Sequence, residues 1–170
     1  RLLSRGLGDV YKRQVDVILG ADLQPKYNLK QDRQFPEFDY GYHPNAREGF
    51  KELFGIDPIN LEYPELSNEW LQYRLNAVTT LVNEIAEIVH NNEKKLSAAV
   101  FPFPEMSRQM VRQDWSSWDL ELALPMLYHN FYRQNLNWIQ FSAEQGVREA
   151  QGRFEIMPGL YICLLYTSDA

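Results

Sequence analysis

Hydrophobic and polar positions alternate with two different periods along the chain, and the change of period predicts strands separated by helices. Two short apolar runs, Leu96–Pro102 and Leu120–Tyr128, are flanked by polar residues, as expected of buried strands. Residues Phe154–Ile162 predict a third strand. Helical periodicity is found before, between and after the two runs, at about 68–91, 105–111 and 136–150. Strands and helices in this order predict a parallel sheet of the α/β class.

The longest predicted helix runs from about Asn68 to Asn91, and Ser67 is suited to its N-cap. Before it, residues 20–66 contain no long periodic element, but their many aromatic side chains favour a folded excursion over disorder. Within this excursion, Pro44 and Gly55 are typical of the first residue and the left-handed cap of a short helix.

Both ends of the chain have the features of translated sequencing adapters. Back-translation of Asp9–Gln14 and of Cys163–Ser168 allows two DNA strings that are reverse complements offset by one base. Both strings resemble the end of a transposon that is used to fragment DNA for sequencing. We therefore expect residues 1–14 and 163–170 to be foreign, the alternative being a basic tail and a terminal strand. Residues 15–162 are then expected to be an internal fragment of a longer gene.

Composition excludes several classes of function. The chain has 17 basic and 23 acidic residues, a net charge of −6, and no basic stripe, which argues against a nucleic-acid partner. The single cysteine, Cys163, lies in the predicted adapter, so disulfides and thiolate metal sites are not expected in residues 15–162. No apolar run approaches the length of a membrane span. Because no clustered ligand spacing is present, the sequence predicts neither a metal nor a cofactor.

Polar side chains that could carry chemistry follow the predicted strands. Glu105 and Asp114 come after the first run, His129 comes after the second, and Asp16 belongs to a possible truncated strand at 15–19. Carboxylates and a histidine on neighbouring strand ends suit acid/base hydrolysis, in which one group protonates the leaving oxygen and another stabilises or attacks the positive centre. The alternative for each carboxylate is a solvated loop charge or helix cap. For His129 the alternative is a structural hydrogen bond to the backbone.

Aromatic side chains crowd around the same two strand ends. Sugar rings present an apolar face of C–H groups beside their hydroxyls, so aromatic plates next to polar side chains suit carbohydrate binding. The candidates for substrate binding are Arg112, Trp115, Tyr128 and Tyr132. The alternative for each aromatic ring is that it packs a helix onto the sheet. Taken as a set, the rings favour a carbohydrate partner.

Three strand-to-loop strings resemble the glycosyl-hydrolase-like 10 family: Leu96–Pro102, Arg112–Trp115 with Trp118, and Pro125–His129 with Phe131 and Tyr132. Residues 23–29 and 40–58 resemble the long fourth loop of that family. The resemblance covers residues 15–162. It implies a partial (β/α)8 TIM barrel, from about the end of the fourth strand to the seventh. It also implies a glycosidase that is secreted, periplasmic or lipoprotein-anchored in bacteria.

The residues and the resemblance together predict a glycoside hydrolase acting on a bacterial or plant polysaccharide, and the fragment by itself is expected to be inactive. Its carboxylate acid/base chemistry is expected at the C-terminal rim of the barrel, with carbohydrate as the partner. The alternative is a barrel that binds a glycan without hydrolysing it, because fold alone does not separate these two functions. A purely structural interaction domain is a third possibility, and it leaves the strand-end polar residues unexplained.

Overall fold

The computed structural model describes residue 39 and residues 41–161, which form alternating helices and strands. The helices are α1 (Pro44–Phe54), α2 (Asn68–Asn91), α3 (Pro104–Val111) and α4 (Asn137–Ala150). The strands are β1 (Ser97–Val100), β2 (Leu122–Leu127), β3 (Glu155–Ile156) and β4 (Gly159–Leu160). Short 3-10 turns occur at Pro58–Asn60, Pro64–Leu66 and Trp115–Ser117. The predicted α/β class is confirmed. Asp16 and the predicted adapter residues lie outside the described part of the chain.

The strands form a small parallel sheet in the order β1–β2–β3, and β4 also pairs with β2. Ala98 of β1 lies opposite Ala123 of β2, which in turn lies opposite Ile156 of β3. The predicted third strand is present in two pieces, β3 and β4, separated by Met157 and Pro158. Proline has no backbone N–H to give to a ladder, which explains the interruption. The closed (β/α)8 barrel stays a prediction.

Strand residues alternate between a face covered by helices and a face that is more open. Ala98, Val100 and Ala123 are buried and belong to a core to which α2, α4 and the Trp115–Trp118 segment contribute. On the other face Ser97 and Ala99 are exposed, and β2 presents half-buried positions. Large aromatic side chains dominate the energetics of such a core. The helices that contribute to this core therefore lie on one face of the sheet.

Helix α2 begins and ends where its sequence signals predict. The hydroxyl oxygen of Ser67 accepts a hydrogen bond from the backbone N–H of Trp70 (3.1 Å), which satisfies one of the free donors of the first turn. The last helical residue is Asn91. Gly55, with φ of 75°, caps α1 in the left-handed conformation, as predicted. Along the described residues, no helix combines the length and the apolar character needed to cross a bilayer.

The N-terminal edge of the sheet is closed by polar contacts among α2, β1 and β2. Glu121 accepts a hydrogen bond from the backbone N–H of Leu96 (2.6 Å), and its carboxylate lies 3.0 Å from Nε2 of His90. Nδ1 of His90 lies 3.4 Å from the carboxylate of Asp119. Burial raises the pKa of Glu121, but the hydrogen bonds from Leu96 and His90 outweigh it and leave this pKa below its ordinary value. The polar groups at this edge are therefore paired with one another.

Candidate functional site

The C-terminal edge of the sheet brings together side chains that follow different strands. Because β1 and β2 are parallel, with Val100 opposite Pro125, both strands end at the same edge. Tyr128 and His129 come directly after β2, and Glu105 lies in the first turn of α3, which follows β1. Three of the predicted site residues therefore follow the strand ends at this edge.

Five aromatic side chains form what we call the strand-end aromatic cluster: Phe101, Tyr128, Phe131, Tyr132 and Trp138. The ring of Tyr132 is buried, and its centroid lies 6.1 Å from that of Phe101, 5.4 Å from Phe131 and 5.2 Å from Trp138. The pairs with Phe101 and Phe131 are edge-to-face, and such pairs contribute roughly 0.5–1.5 kcal/mol beyond the area they bury. Tyr128, Phe131 and Trp138 are half-buried, so part of each ring faces solvent. The buried Tyr132 supports the cluster, and the half-buried rings supply its accessible surface.

His129 is fixed through its backbone. Its carbonyl oxygen accepts hydrogen bonds from the backbone N–H groups of Tyr132 (3.1 Å) and Gln134 (2.9 Å), and its own N–H donates to Leu127 (3.1 Å). The imidazole is half-buried and makes no side-chain hydrogen bond within the described part of the chain. The structural hydrogen bond considered as the alternative role is thus not seen. An imidazole that its backbone holds in place, and that no described residue binds by a side-chain hydrogen bond, is suited to contact a ligand.

Glu105 is exposed in the first turn of α3. The start of this helix is held against α4, because Phe103 contacts the rings of Trp138 and Phe141 at centroid distances of 6.4 and 5.5 Å. These contacts place the beginning of α3 beside the strand-end aromatic cluster. Of the predicted catalytic carboxylates, Glu105 lies near that cluster, whereas Asp16 lies outside the described residues.

Asp114 does not join Glu105 and His129. Its carboxylate accepts hydrogen bonds from Arg108 (3.0 Å) and from the hydroxyl of Ser117 (2.6 Å). Arg108 also donates to Glu149 (2.9 Å), in the last turn of α4, and that contact in particular raises the pKa of Arg108. Arg108 lies in α3 and Glu149 in α4, so this ion-paired group joins Asp114 to two helices. Its observed contacts are structural.

Trp115, predicted to bind substrate, lies in the core. It is fully buried, and its indole N–H donates to the hydroxyl of Ser107 (2.9 Å) while its ring meets Phe154 at a centroid distance of 6.1 Å. A Cβ added at Gly146 would come within 3.2 Å of the indole, so α4 approaches this ring closely. No face of Trp115 is open to a sugar. The alternative, a ring that packs a helix onto the sheet, describes its position.

Arg112 is also buried rather than exposed to a ligand. Its guanidinium donates to the carboxylate of Asp39 (2.9 Å) and to the carbonyl oxygen of Gln109. Burial, reinforced by the positive charge of Arg74, lowers the pKa of Arg112 to about 10. Its backbone has φ of 59°, in the left-handed region that costs a non-glycine residue on the order of 1 kcal/mol. The anchored side chain holds this conformation in place.

A buried ion-pair group at Asp39 was not predicted from the sequence. Asp39 accepts hydrogen bonds from Arg74 (2.8 Å), Arg112 and the phenolic hydroxyl of Tyr42 (3.1 Å). The guanidinium of Arg74 also stacks over the ring of Trp70 at 4.7 Å. Arg74 is a charged residue on the buried, apolar side of α2. Because arginine is rarely buried unless it is paired, its position could have indicated a buried acidic partner.

Among residue 39 and residues 41–161, no three histidine, cysteine, aspartate or glutamate side chains form a group that could hold a metal ion. In comparisons with known proteins, no family model, curated protein or solved structure matches the chain. Its function therefore has to be inferred from the side chains at the strand ends.

Proposed function

We propose that the chain acts on a polysaccharide as a glycoside hydrolase, with the sugar bound at the C-terminal edge of the sheet. The observation that carries this proposal is the strand-end aromatic cluster, together with His129 next to Tyr128, whose imidazole makes no side-chain hydrogen bond among the described residues. Parallel α/β folds bind their ligands where the strands end. The half-buried rings of Tyr128 and Trp138 offer apolar plates to sugar C–H faces, and His129 can hydrogen-bond to hydroxyls.

Hydrolysis of a glycosidic bond requires two carboxyl groups, one to protonate the leaving oxygen and one to act as nucleophile or base. Glu105 suits the second role, because it is exposed in the first turn of α3, beside the strand-end aromatic cluster. We assign the other carboxyl to Asp16. Asp114 suits the chemistry less well, because Arg108 and Ser117 already occupy its oxygens. His129 is assigned to substrate orientation or proton transfer.

The finer fold assignment, part of a (β/α)8 barrel like that of the glycosyl-hydrolase-like 10 family, belongs to the same proposal. Consecutive strands lie next to each other in parallel, and the helices of the main core share one face of the sheet. A doubly wound sheet has helices on both faces, whereas the second face of a barrel lines its interior. The exposed small residues Ser97 and Ala99 on that second face support the barrel.

A specific observation favours one second function, glycan binding without hydrolysis. With the carboxylate of Asp114 ion-paired to Arg108, Glu105 is the one predicted catalytic carboxylate that follows a strand end within the described residues. Binding needs the aromatic rings and hydrogen-bonding groups but not a pair of carboxyls. The two functions therefore share one surface and differ in turnover.

The test is an assay of the full-length protein against plant and bacterial polysaccharides, in which reducing ends measure turnover and calorimetry measures binding. For a hydrolase, we expect Glu105→Gln to lower turnover by about 100-fold or more, because a catalytic carboxylate contributes that much. Glu87→Gln, on the exposed side of α2, is the matched control and should leave turnover unchanged. Binding without turnover would identify the glycan-binding function. A full-length protein that neither binds nor cleaves any glycan of the set would contradict both proposals.

A further inference from the structure

We propose that Arg112 and Gln113 are positioning residues that hold the strand-end aromatic cluster in place from behind. They link Asp39, in the excursion before α2, to Phe101, the first residue after β1. The ligand part of this inference rests on the proposed function, whereas the coupling between the two regions does not. Arg112, predicted from the sequence to bind substrate, is thus assigned a positioning role instead.

The first step is the way the chain leaves β1. Phe101 is almost completely buried, and its backbone N–H donates to the side-chain oxygen of Gln113 at 3.0 Å. A buried backbone N–H needs an acceptor, and beyond the end of the strand a side chain supplies it here. The amide of Gln113, itself only 1% exposed, therefore fixes the direction in which the chain continues from β1.

The second step is the placement of Gln113. It follows Arg112, whose left-handed backbone turns the chain at the end of α3. The N–H groups of both residues donate to the carbonyl oxygen of Ser107. The guanidinium of Arg112 is held by Asp39 and by the carbonyl oxygen of Gln109. Since a non-glycine residue keeps such a backbone only where its surroundings fix it, the contact with Asp39 contributes to the position of Gln113.

The third step leads from Phe101 to the cluster. Phe101 meets the ring of Tyr132, and Val111, the residue before Arg112, packs in the same apolar group. Both ends of the connection that contains α3 therefore belong to the apolar group that includes Tyr132, and Tyr132 in turn contacts Trp138. Arg112 and Gln113 are too deeply buried to contact a ligand themselves, so any effect on the site passes through these rings.

The experiment compares Gln113→Leu, which removes the acceptor, with Gln113→Glu, which keeps it. Gln109→Leu, at an exposed position of the neighbouring helix α3, is the control. We expect Gln113→Leu to speed hydrogen exchange of the Phe101 amide by about tenfold, to shift the ring signals of Tyr132 and Trp138, and to weaken glycan binding to a similar extent. Gln113→Glu should retain the protection of that amide. Gln109→Leu should change none of these three readings.

Asp39→Asn keeps an acceptor for Arg112 and provides a second, milder variant in case Gln113→Leu does not fold. No ring contact joins Asp39 to Tyr132 or Trp138, yet we expect the signals of both rings to shift. The coupling would be overturned if, in the folded variants, the ring signals of Tyr132 and Trp138 did not shift and the Phe101 amide exchanged at its wild-type rate. This holds even if glycan binding is found. Shifted rings in a chain that binds no glycan would uphold the coupling and contradict the proposed function instead.

Discussion

The two edges of the same small sheet differ in whether their polar side chains are paired with other groups of the protein. At the N-terminal edge, His90 lies between the carboxylates of Asp119 and Glu121, and Glu121 also accepts from a backbone N–H. At the C-terminal edge, the imidazole of His129 has no side-chain hydrogen bond within the described residues, and Glu105 is exposed. Both edges are built on β1 and β2 and a histidine, so the difference lies in which polar groups are already paired.

Paired and unpaired polar groups have different physical consequences. A hydrogen bond within the protein contributes about 1 kcal/mol net, and removing one partner from a buried donor costs more than that. A half-exposed imidazole without a protein partner contributes little to stability and keeps its hydrogen-bonding capacity for a ligand. The N-terminal edge is therefore expected to respond to mutation through stability, and the C-terminal edge through binding or turnover.

The largest effect is expected from the core that both edges share. Trp115→Ala removes a fully buried indole and the hydrogen bond to Ser107, and we expect the free energy of unfolding in urea to fall by about 3–5 kcal/mol. Trp138→Ala, at a half-buried ring of the strand-end aromatic cluster, should cost clearly less. If both variants lost the same unfolding free energy, Trp115 would be no more deeply packed than the strand-end aromatic cluster, which would contradict its placement in the core.

The next largest loss of stability is expected at Asp39, in the buried ion-pair group, and it is compared with the loss at Asp119, at the N-terminal edge. Asp39→Ala removes the carboxylate from the buried guanidinium of Arg112, so we expect unfolding free energy to fall by about 3 kcal/mol. Asp119→Ala removes a side chain that is 71% exposed, and its expected cost is about 0.5 kcal/mol or less. Chemical denaturation of both variants measures the difference. A cost for Asp119→Ala as large as that for Asp39→Ala would refute it.

A smaller loss is expected at Glu121. Glu121→Ala leaves the backbone N–H of the buried Leu96 without its acceptor, which we expect to cost about 1–2 kcal/mol of unfolding free energy. Glu121→Gln, which keeps an oxygen in that position, should cost less. Glu87→Ala on the exposed side of α2 is the control for loss of a helix-surface glutamate and should be nearly neutral.

The same glutamate predicts a pH dependence. Because the folded-state pKa of Glu121 lies below its ordinary value of 4.5, its contribution to stability is present above pH 4.5 and is lost as pH falls through the folded pKa. Melting temperatures measured from pH 7 down to about pH 3 should therefore fall more steeply for the wild type than for Glu121→Gln. Parallel curves for the two proteins would exclude a native carboxylate that is stabilised at this edge.

Much of the secondary structure is predictable because its signals are local. The cap at Ser67, the range of α2 and the left-handed turn at Gly55 all follow from neighbouring residues, and the structure confirms them. The outer limits of the apolar stripe are less well predicted: Leu81 and Ile88 fit its period but are exposed. Periodicity indicates a face of the helix, whereas the width that is covered depends on what packs against it.

The candidate site is less predictable because a short turn changes its direction. In the string from Arg112 to Trp115, the left-handed backbone of Arg112 and the following 3-10 turn carry the chain from the strand end into the helix layer. Residues next to each other in sequence thus fall in different environments: Trp115 lies in the core, and Asp114 is ion-paired with Arg108 of α3. The partner of Arg112, Asp39, is 73 residues away, and no local pattern specifies that distance.

The smallest effect on stability, and the sharpest test of the contrast between the edges, comes from the two histidines. His129→Ala removes an imidazole without a side-chain hydrogen bond in the described residues, so we expect a change of less than about 0.5 kcal/mol in unfolding free energy. His90→Ala breaks contacts with Asp119 and Glu121 and should cost more, about 0.5–1 kcal/mol. Under the proposed function, glycan binding or turnover follows the reverse order: it falls in His129→Ala and is kept in His90→Ala, which acts at the far edge. Denaturation and glycan assays on both variants test this reversal. If His129→Ala were strongly destabilised but fully active, His129 would be a structural residue and the binding site would lie elsewhere along the edge.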